Sequence, residues 1–135
     1  MKLTRRYRFC ASHRLDTPAL TPAQNQQLYR KCNNPHGHGH NYELDVTVEG
    51  AVDEAGQVVN LRMLDALVEQ RVLQRFDHKN LSMDVADLNG VVATTENLAA
   101  AIRNALSAEW PLKPRLAHLR ISETARNVFE LEVKS

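Results

Sequence analysis

The stretch HGHNYELDVTVEG, from His38 to Gly50, decides how the rest of the chain reads. Tyr42, Leu44, Val46 and Val48 take the even positions, and Asn41, Glu43, Asp45, Thr47 and Glu49 take the odd ones. A period of two residues marks a half-buried β-strand, apolar on one face and polar on the other. Gly50 and a turn over residues 53–56 close it. Upstream, Leu3 to His13 alternates in the same way, with Tyr7, Phe9, Ala11 and His13 on one parity. Residues 16–34 carry two prolines and many polar side chains, which predicts a loop with at most a short helix from Pro22 to Tyr29.

Downstream the period changes. Leu61, Leu64, Val68 and Val72 recur at three- and four-residue spacing and predict an amphipathic helix to about Phe76. Thr94 or Thr95 can cap a second helix, whose apolar stripe is Leu98, Ala101, Ile102, Ala105 and Leu106. Pro111 and Pro114 end it. Two more alternating segments follow, one through Ala117, Leu119, Ile121 and Glu123, the other through Phe129, Leu131 and Val133. The order ββααββ predicts an α+β fold, a four-stranded antiparallel sheet with two helices on one face. Such a small sheet leaves edges and one face to cover, which favours assembly with further copies.

Composition narrows the function classes. The chain has 135 residues, 43% apolar and 24% charged, which suits a single globular domain over residues 1–135. A net charge of +1 argues against a nucleic-acid partner held by bulk charge. Apolar runs are too short for a membrane span, and MKLTRRYRF lacks the apolar core of a secretory signal. The two cysteines, Cys10 and Cys32, are too few for a disulfide framework and fit a reducing cytoplasm.

Histidine is the uneven feature. In CNNPHGHGHNY, from Cys32 to Tyr42, His38 and His40 share the inward parity of Tyr42. Imidazoles two residues apart on a strand project to one face and can meet one cation. His13 ends the first strand on its own apolar face and is the candidate third ligand. Three histidines with an open fourth position make catalytic zinc geometry. His118, of opposite parity to Leu119, reads as structural.

Cys32 stands beside Arg30 and Lys31, with no apolar neighbours, so a lowered pKa and a chemical role are expected: nucleophile, ligand or general base. Cys10, inside a strand, reads as a buried inert thiol. Asp77 and His78 adjoin one another and can orient and titrate as a relay if the fold brings them to Cys32. Glu123 falls on the apolar parity of its strand, where a carboxylate is costly unless paired. Pointing inward, it suits an N–C–N edge with two parallel donors; if the strand ends at Ser122, it lies in solvent.

Together FCASHRL, CNNPHGHGHNY, VVNL, FDHKNL, VVATTEN and SET resemble the 6-pyruvoyl-tetrahydropterin synthase family across nearly the whole chain. The resemblance implies a tunnelling fold whose subunits pool their sheets into barrels, usually as a hexamer of two stacked trimers. It implies zinc on His13, His38 and His40, with Cys32 as general base and Asp77 and His78 as its relay from a neighbouring subunit. Glu123 becomes the pterin anchor, with Thr94, Thr95 and Glu96 near the ring. The implied substrate is 7,8-dihydroneopterin triphosphate and the implied product 6-pyruvoyl-tetrahydropterin, with Arg14, Lys31 and Lys79 as candidates for the triphosphate.

Position 36 is histidine where animal-type members have asparagine. A second register, Cys32-x-x-x-His36-Gly-His38, therefore exists, and it matches the related 6-carboxy-tetrahydropterin synthases of queuosine biosynthesis. A non-catalytic pterin- or metal-binding module is the reading from another class.

Overall fold

The computed structural model describes residues 1–134. Strand β1 spans Lys2–His13 and β2 spans His38–Glu49, and they pair antiparallel along their full lengths, from Lys2↔Glu49 to His13↔His38. Between them lie α1 (Pro22–Tyr29) and a 3₁₀ turn (Arg30–Asn33). A capping box starts α1: Thr21 accepts from the Gln24 amide, and the Gln24 side chain accepts from the Thr21 amide.

After β2, Asn60 caps α2 (Leu61–Val68) by accepting from the Met63 amide at 3.2 Å. The helix widens by one π turn (Glu69–Leu73) and runs on into α3 (Gln74–Phe76). Helix α4 (Thr95–Ser107) follows, then β4 (Arg115–Ser122) and β5 (Val128–Glu132). Leu44, Val46 and Val48 of β2, Leu119 and Ile121 of β4, Leu64, Val68, Val72 and Phe76 of the first helical run, and Leu98, Ile102 and Leu106 of α4 are 0–1% exposed. They form the layer between sheet and helices, so the predicted inward faces are the observed ones.

The sheet differs from expectation in one strand. Its order is β3-β1-β2-β4-β5, where β3 (Lys79–Asn80) lies parallel to β1 through Ala11↔Lys79 and Ser12↔Asn80. The sheet is thus five-stranded and mixed, rather than four-stranded and antiparallel. Two residues cannot display a period. Tertiary hydrogen bonds place them instead: His78 N–H donates to Cys10 O at 2.6 Å and Leu81 N–H to Ser12 O at 2.7 Å.

Two polar devices fix the layers. Arg5 forks onto Asp65 at 2.9 and 2.8 Å, and the Tyr7 hydroxyl donates to the same carboxylate at 2.7 Å, tying β1 to α2. Arg71, on the π turn, donates to Leu106 O at 2.9 Å and Ala108 O at 2.6 Å, closing the C-terminal end of α4. The sheet face turned away from the helices is ionic, with Arg6 on Asp45 at 2.8 Å and His118 between Glu130 and Glu132. Among the described residues, no helix is long and apolar enough to cross a membrane.

Candidate metal and ligand site

The inward parity of β1 and β2 carries the histidines to one end of the sheet. His13 is fully buried, and its Nδ1 lies 2.9 Å from Ala93 O. A carbonyl only accepts, so Nδ1 holds the proton and Nε2 presents a lone pair. That Nε2 lies 3.2 Å from Nε2 of His40. Two nitrogens on one tetrahedral zinc, each at about 2.0–2.1 Å, stand about 3.3–3.4 Å apart, so the observed pair fits a shared cation.

Cys32 completes a group with His13 and His40 in which the donor atoms all lie within 4.8 Å of one another. The ring of His38 packs edge-on against His40, centroids 4.7 Å apart, beside that group and outside it. His36 lies exposed in the loop before β2, its amide bonded to Asn34 Oδ1 at 3.1 Å. The structure therefore joins His40, and not His36, to His13.

Burial is the main force on these groups. It pushes His13 below its ordinary imidazole value, helped by His40, and it pushes His40 down as well. Both rings are held in the neutral form, the form that can ligate a metal. Cys32 moves the other way from the sequence expectation: burial raises its pKa and the Glu123 charge raises it further. Arg30 and Lys31 face solvent from the 3₁₀ turn, whereas Cys32 is partly buried against the apolar core. Their charges do not reach it.

Glu123 resolves in an unexpected way, because the strand does end at Ser122 and the carboxylate still turns inward. Its side chain is 14% exposed, with Oε1 3.5 Å from His40 Nε2. The hairpin that starts there holds it, through its amide to Asn127 O at 3.1 Å. Thr94 caps α4, its hydroxyl accepting from the Asn97 amide at 3.2 Å. Thr95 is buried and Glu96 is exposed on the first turn.

Asp77 and His78 pair with each other at 3.0 Å, at the β1 edge where β3 begins. Asp77 Oδ1 accepts from the Cys10 amide at 2.9 Å, and His78 holds a left-handed φ of 58°. Within one chain they belong to the Cys10 neighbourhood rather than to Cys32. Cys10 corrects a second expectation: it is exposed, with Sγ 2.8 Å from Asn41 Oδ1. Its parity is opposite to that of Phe9 and Ala11, which β1 buries. Tyr42 is the inward residue that the sequence reading counted only as core. It is 1% exposed, and burial and Glu123 raise its hydroxyl above the ordinary phenol value.

Known proteins agree with this architecture. The 6-pyruvoyl tetrahydropterin synthase family profile matches residues 2–134. A 6-pyruvoyl tetrahydrobiopterin synthase of Homo sapiens is 44% identical over 128 residues, covering 94% of this chain and 88% of the relative. Its counterpart from Drosophila melanogaster is 42% identical, covering 94% and 76%. The solved Caenorhabditis elegans 6-pyruvoyl tetrahydropterin synthase superposes with a TM-score of 0.87 at 34% identity, covering 99% of this chain and 96% of that one. With sequence and fold matched from end to end, the chain belongs to the 6-pyruvoyl tetrahydropterin synthase family.

Proposed function

We propose that the chain is a metal-dependent lyase that converts 7,8-dihydroneopterin triphosphate to 6-pyruvoyl-tetrahydropterin with elimination of triphosphate. One observation carries the reading: the donor atoms of His13, Cys32 and His40 gather within 4.8 Å, with the Glu123 carboxylate beside the same His40. Ligands, a thiol and an inward carboxylate thus converge on one point. The relatives, named 6-pyruvoyl tetrahydrobiopterin synthases, support the 6-pyruvoyl product.

His13 and His40 hold the cation, with His38 as the third imidazole. His38 stands opposite His13 in the β1–β2 ladder and against the His40 ring. Neutral imidazoles suit zinc. When bound, the metal supplies Lewis-acid polarisation of the substrate's side-chain hydroxyls. Cys32 takes a proton from the adjoining carbon and returns it elsewhere on the substrate, so that side-chain oxidation and ring reduction stay internal.

A buried thiol beside a carboxylate holds its proton, so Cys32 needs help to act as a base. Asp77 and His78 of the partner subunit supply it, because within one chain they bond to the Cys10 backbone rather than to Cys32. Glu123 accepts from the 2-amino group and N3 of the pterin, and Thr95 and its neighbours Thr94 and Glu96 border the ring. Arg14, already bonded to Asn33 O, joins Lys31 and Lys79 as candidates for the triphosphate.

A second ligand set has its own support, since Cys32 lies inside the 4.8 Å group and His38 does not. Metal analysis and turnover of Cys32→Ala and His38→Ala separate the two. The account predicts that Cys32→Ala keeps its metal and loses at least about a hundredfold in turnover, the scale of a general base. His38→Ala loses metal. The reverse metal pattern makes Cys32 a ligand, and full turnover in Cys32→Ala removes its role as base.

A further inference from the structure

Ala93 O fixes the His13 ring, and Ala93 itself sits in a turn that one further side chain pins. The turn runs from Val92 to Thr94 and is closed by the Thr94 amide, which donates to Val92 O at 2.8 Å. Val92 O accepts a second time, from Nδ2 of Asn97 at 2.7 Å. Asn97 lies on the first turn of α4, where its own amide donates to the Thr94 hydroxyl at 3.2 Å. The Leu98 amide donates to Thr94 O at 2.9 Å. Both ends of the turn are thus bonded to the helix.

The helix start departs from a capping box. In such a box a Glu or Gln three residues after the cap accepts from the cap residue's amide. In Thr94-Thr95-Glu96-Asn97 the Thr94 amide is already taken by Val92 O, and Asn97 donates instead. A carbonyl only accepts, so the nitrogen of the Asn97 side chain faces it. Two consecutive carbonyls then serve different partners, Val92 O the start of α4 and Ala93 O the imidazole at 2.9 Å. Ala93 is 3% exposed and His13 is fully buried, so the ring has no solvent with which to replace that carbonyl if the turn shifts.

We propose that Asn97 is a positioning residue for the metal site. By holding Val92 O it keeps Ala93 O on Nδ1 of His13, and so keeps Nε2 free and aimed at the shared cation. The proposal rests on the reading of His13 as a metal ligand. Groups that orient a ligating histidine from behind carry about 10–100-fold in metal affinity. Asn97 acts through one intervening peptide, which puts its share at the lower end, about tenfold.

The test compares full-length wild type, Asn97→Ala, Asn97→Asp and His13→Ala. It reads zinc affinity in competition with a chelator, and in zinc-loaded protein the magnetic resonance signal of the His13 Nδ1 proton. Asp keeps the shape of Asn without the donor, and a carboxylate on the first turn favours α4. Both Asn97 variants are expected to hold zinc about tenfold more weakly, with an Nδ1 proton that exchanges with water faster than in wild type. Asn97→Asp is expected to melt in chelator at the wild-type temperature or above. Wild-type zinc affinity in both variants overturns the proposal. So does weaker affinity with an unchanged Nδ1 proton, because the loss then reaches the metal by another route. A loss confined to Asn97→Asp overturns it as an effect of the new charge. An Asn97→Asp protein that melts several degrees lower or does not fold also overturns it, since Asn97 would then hold the fold. Wild type that holds no zinc, or His13→Ala that holds it as tightly as wild type, strikes the reading of His13 and takes the proposal with it.

Discussion

His13 shows how one residue can carry information at several levels. Its parity in β1 sends it inward, Ala93 O fixes its tautomer, and the free Nε2 meets His40 at 3.2 Å. Burial keeps both rings neutral, and the sign of the pH dependence follows. Below the ordinary value of 6.5 the unfolded chain binds protons that folded His13 and His40 refuse. Stability of the metal-free protein is therefore unaffected by these rings above that pH and falls as pH drops below it. Melting curves in chelator from pH 7.5 to 5 are expected to show a steady loss, and His40→Gln is expected to flatten it. A flat wild-type profile would remove burial as the cause. Cys32 and Cys10 mark the limit of residue-by-residue reading. Neighbours in sequence suggested an acidified thiol at Cys32, but Arg30 and Lys31 face solvent and burial wins. Cys10 lies in a strand, but its even position places it outside with Arg6 and Arg8 rather than in the core.

At the scale of elements, periodic segments were readable and short ones were not. β1, β2, α2 and α4 each bury a face that repeats several times, so their patterns survive local exceptions. β3 has two residues and exists because Cys10 O and Ser12 O accept from His78 and Leu81. The end of β4 shows the same lesson from the other side. Parity ran one residue past the hydrogen-bonded strand, and Glu123 kept its inward direction because the hairpin holds its backbone. The π turn has a role that no periodicity shows. It presents Arg71 to the last carbonyls of α4, where a cation also complements the helix dipole. Arg71→Ala is expected to lower the urea-unfolding free energy by about 1–2 kcal/mol. Arg75→Ala, which removes an ion pair to Asp87 with both partners partly exposed, is expected to cost less than about 1 kcal/mol. Equal costs would show that Arg71 does not cap α4.

For the whole molecule, the layer plan and its helical side were visible in the order of the elements, and so was one end of the site. What a single chain cannot display in its sequence is which faces meet. His13, Cys32, His40 and Glu123 converge on the helix side of the sheet, whereas Asp77 and His78 are bonded to the Cys10 backbone at the β1 edge. A relay joining them needs a second copy. The length of β1 that two-residue β3 leaves uncovered and the free edge of β5 are the surfaces on which sheets would join in the barrel that the resemblance implies. His36, the source of the second register, lies exposed in the loop before β2, whereas His40 lies against His13. The central claim is that this assembly of residues eliminates triphosphate from 7,8-dihydroneopterin triphosphate and leaves the three-carbon side chain whole. Incubating the metal-loaded protein with that substrate and identifying the product by mass tests it most directly. The account predicts inorganic triphosphate and 6-pyruvoyl-tetrahydropterin in equal amounts, and a 6-carboxy product, or no product, would contradict it.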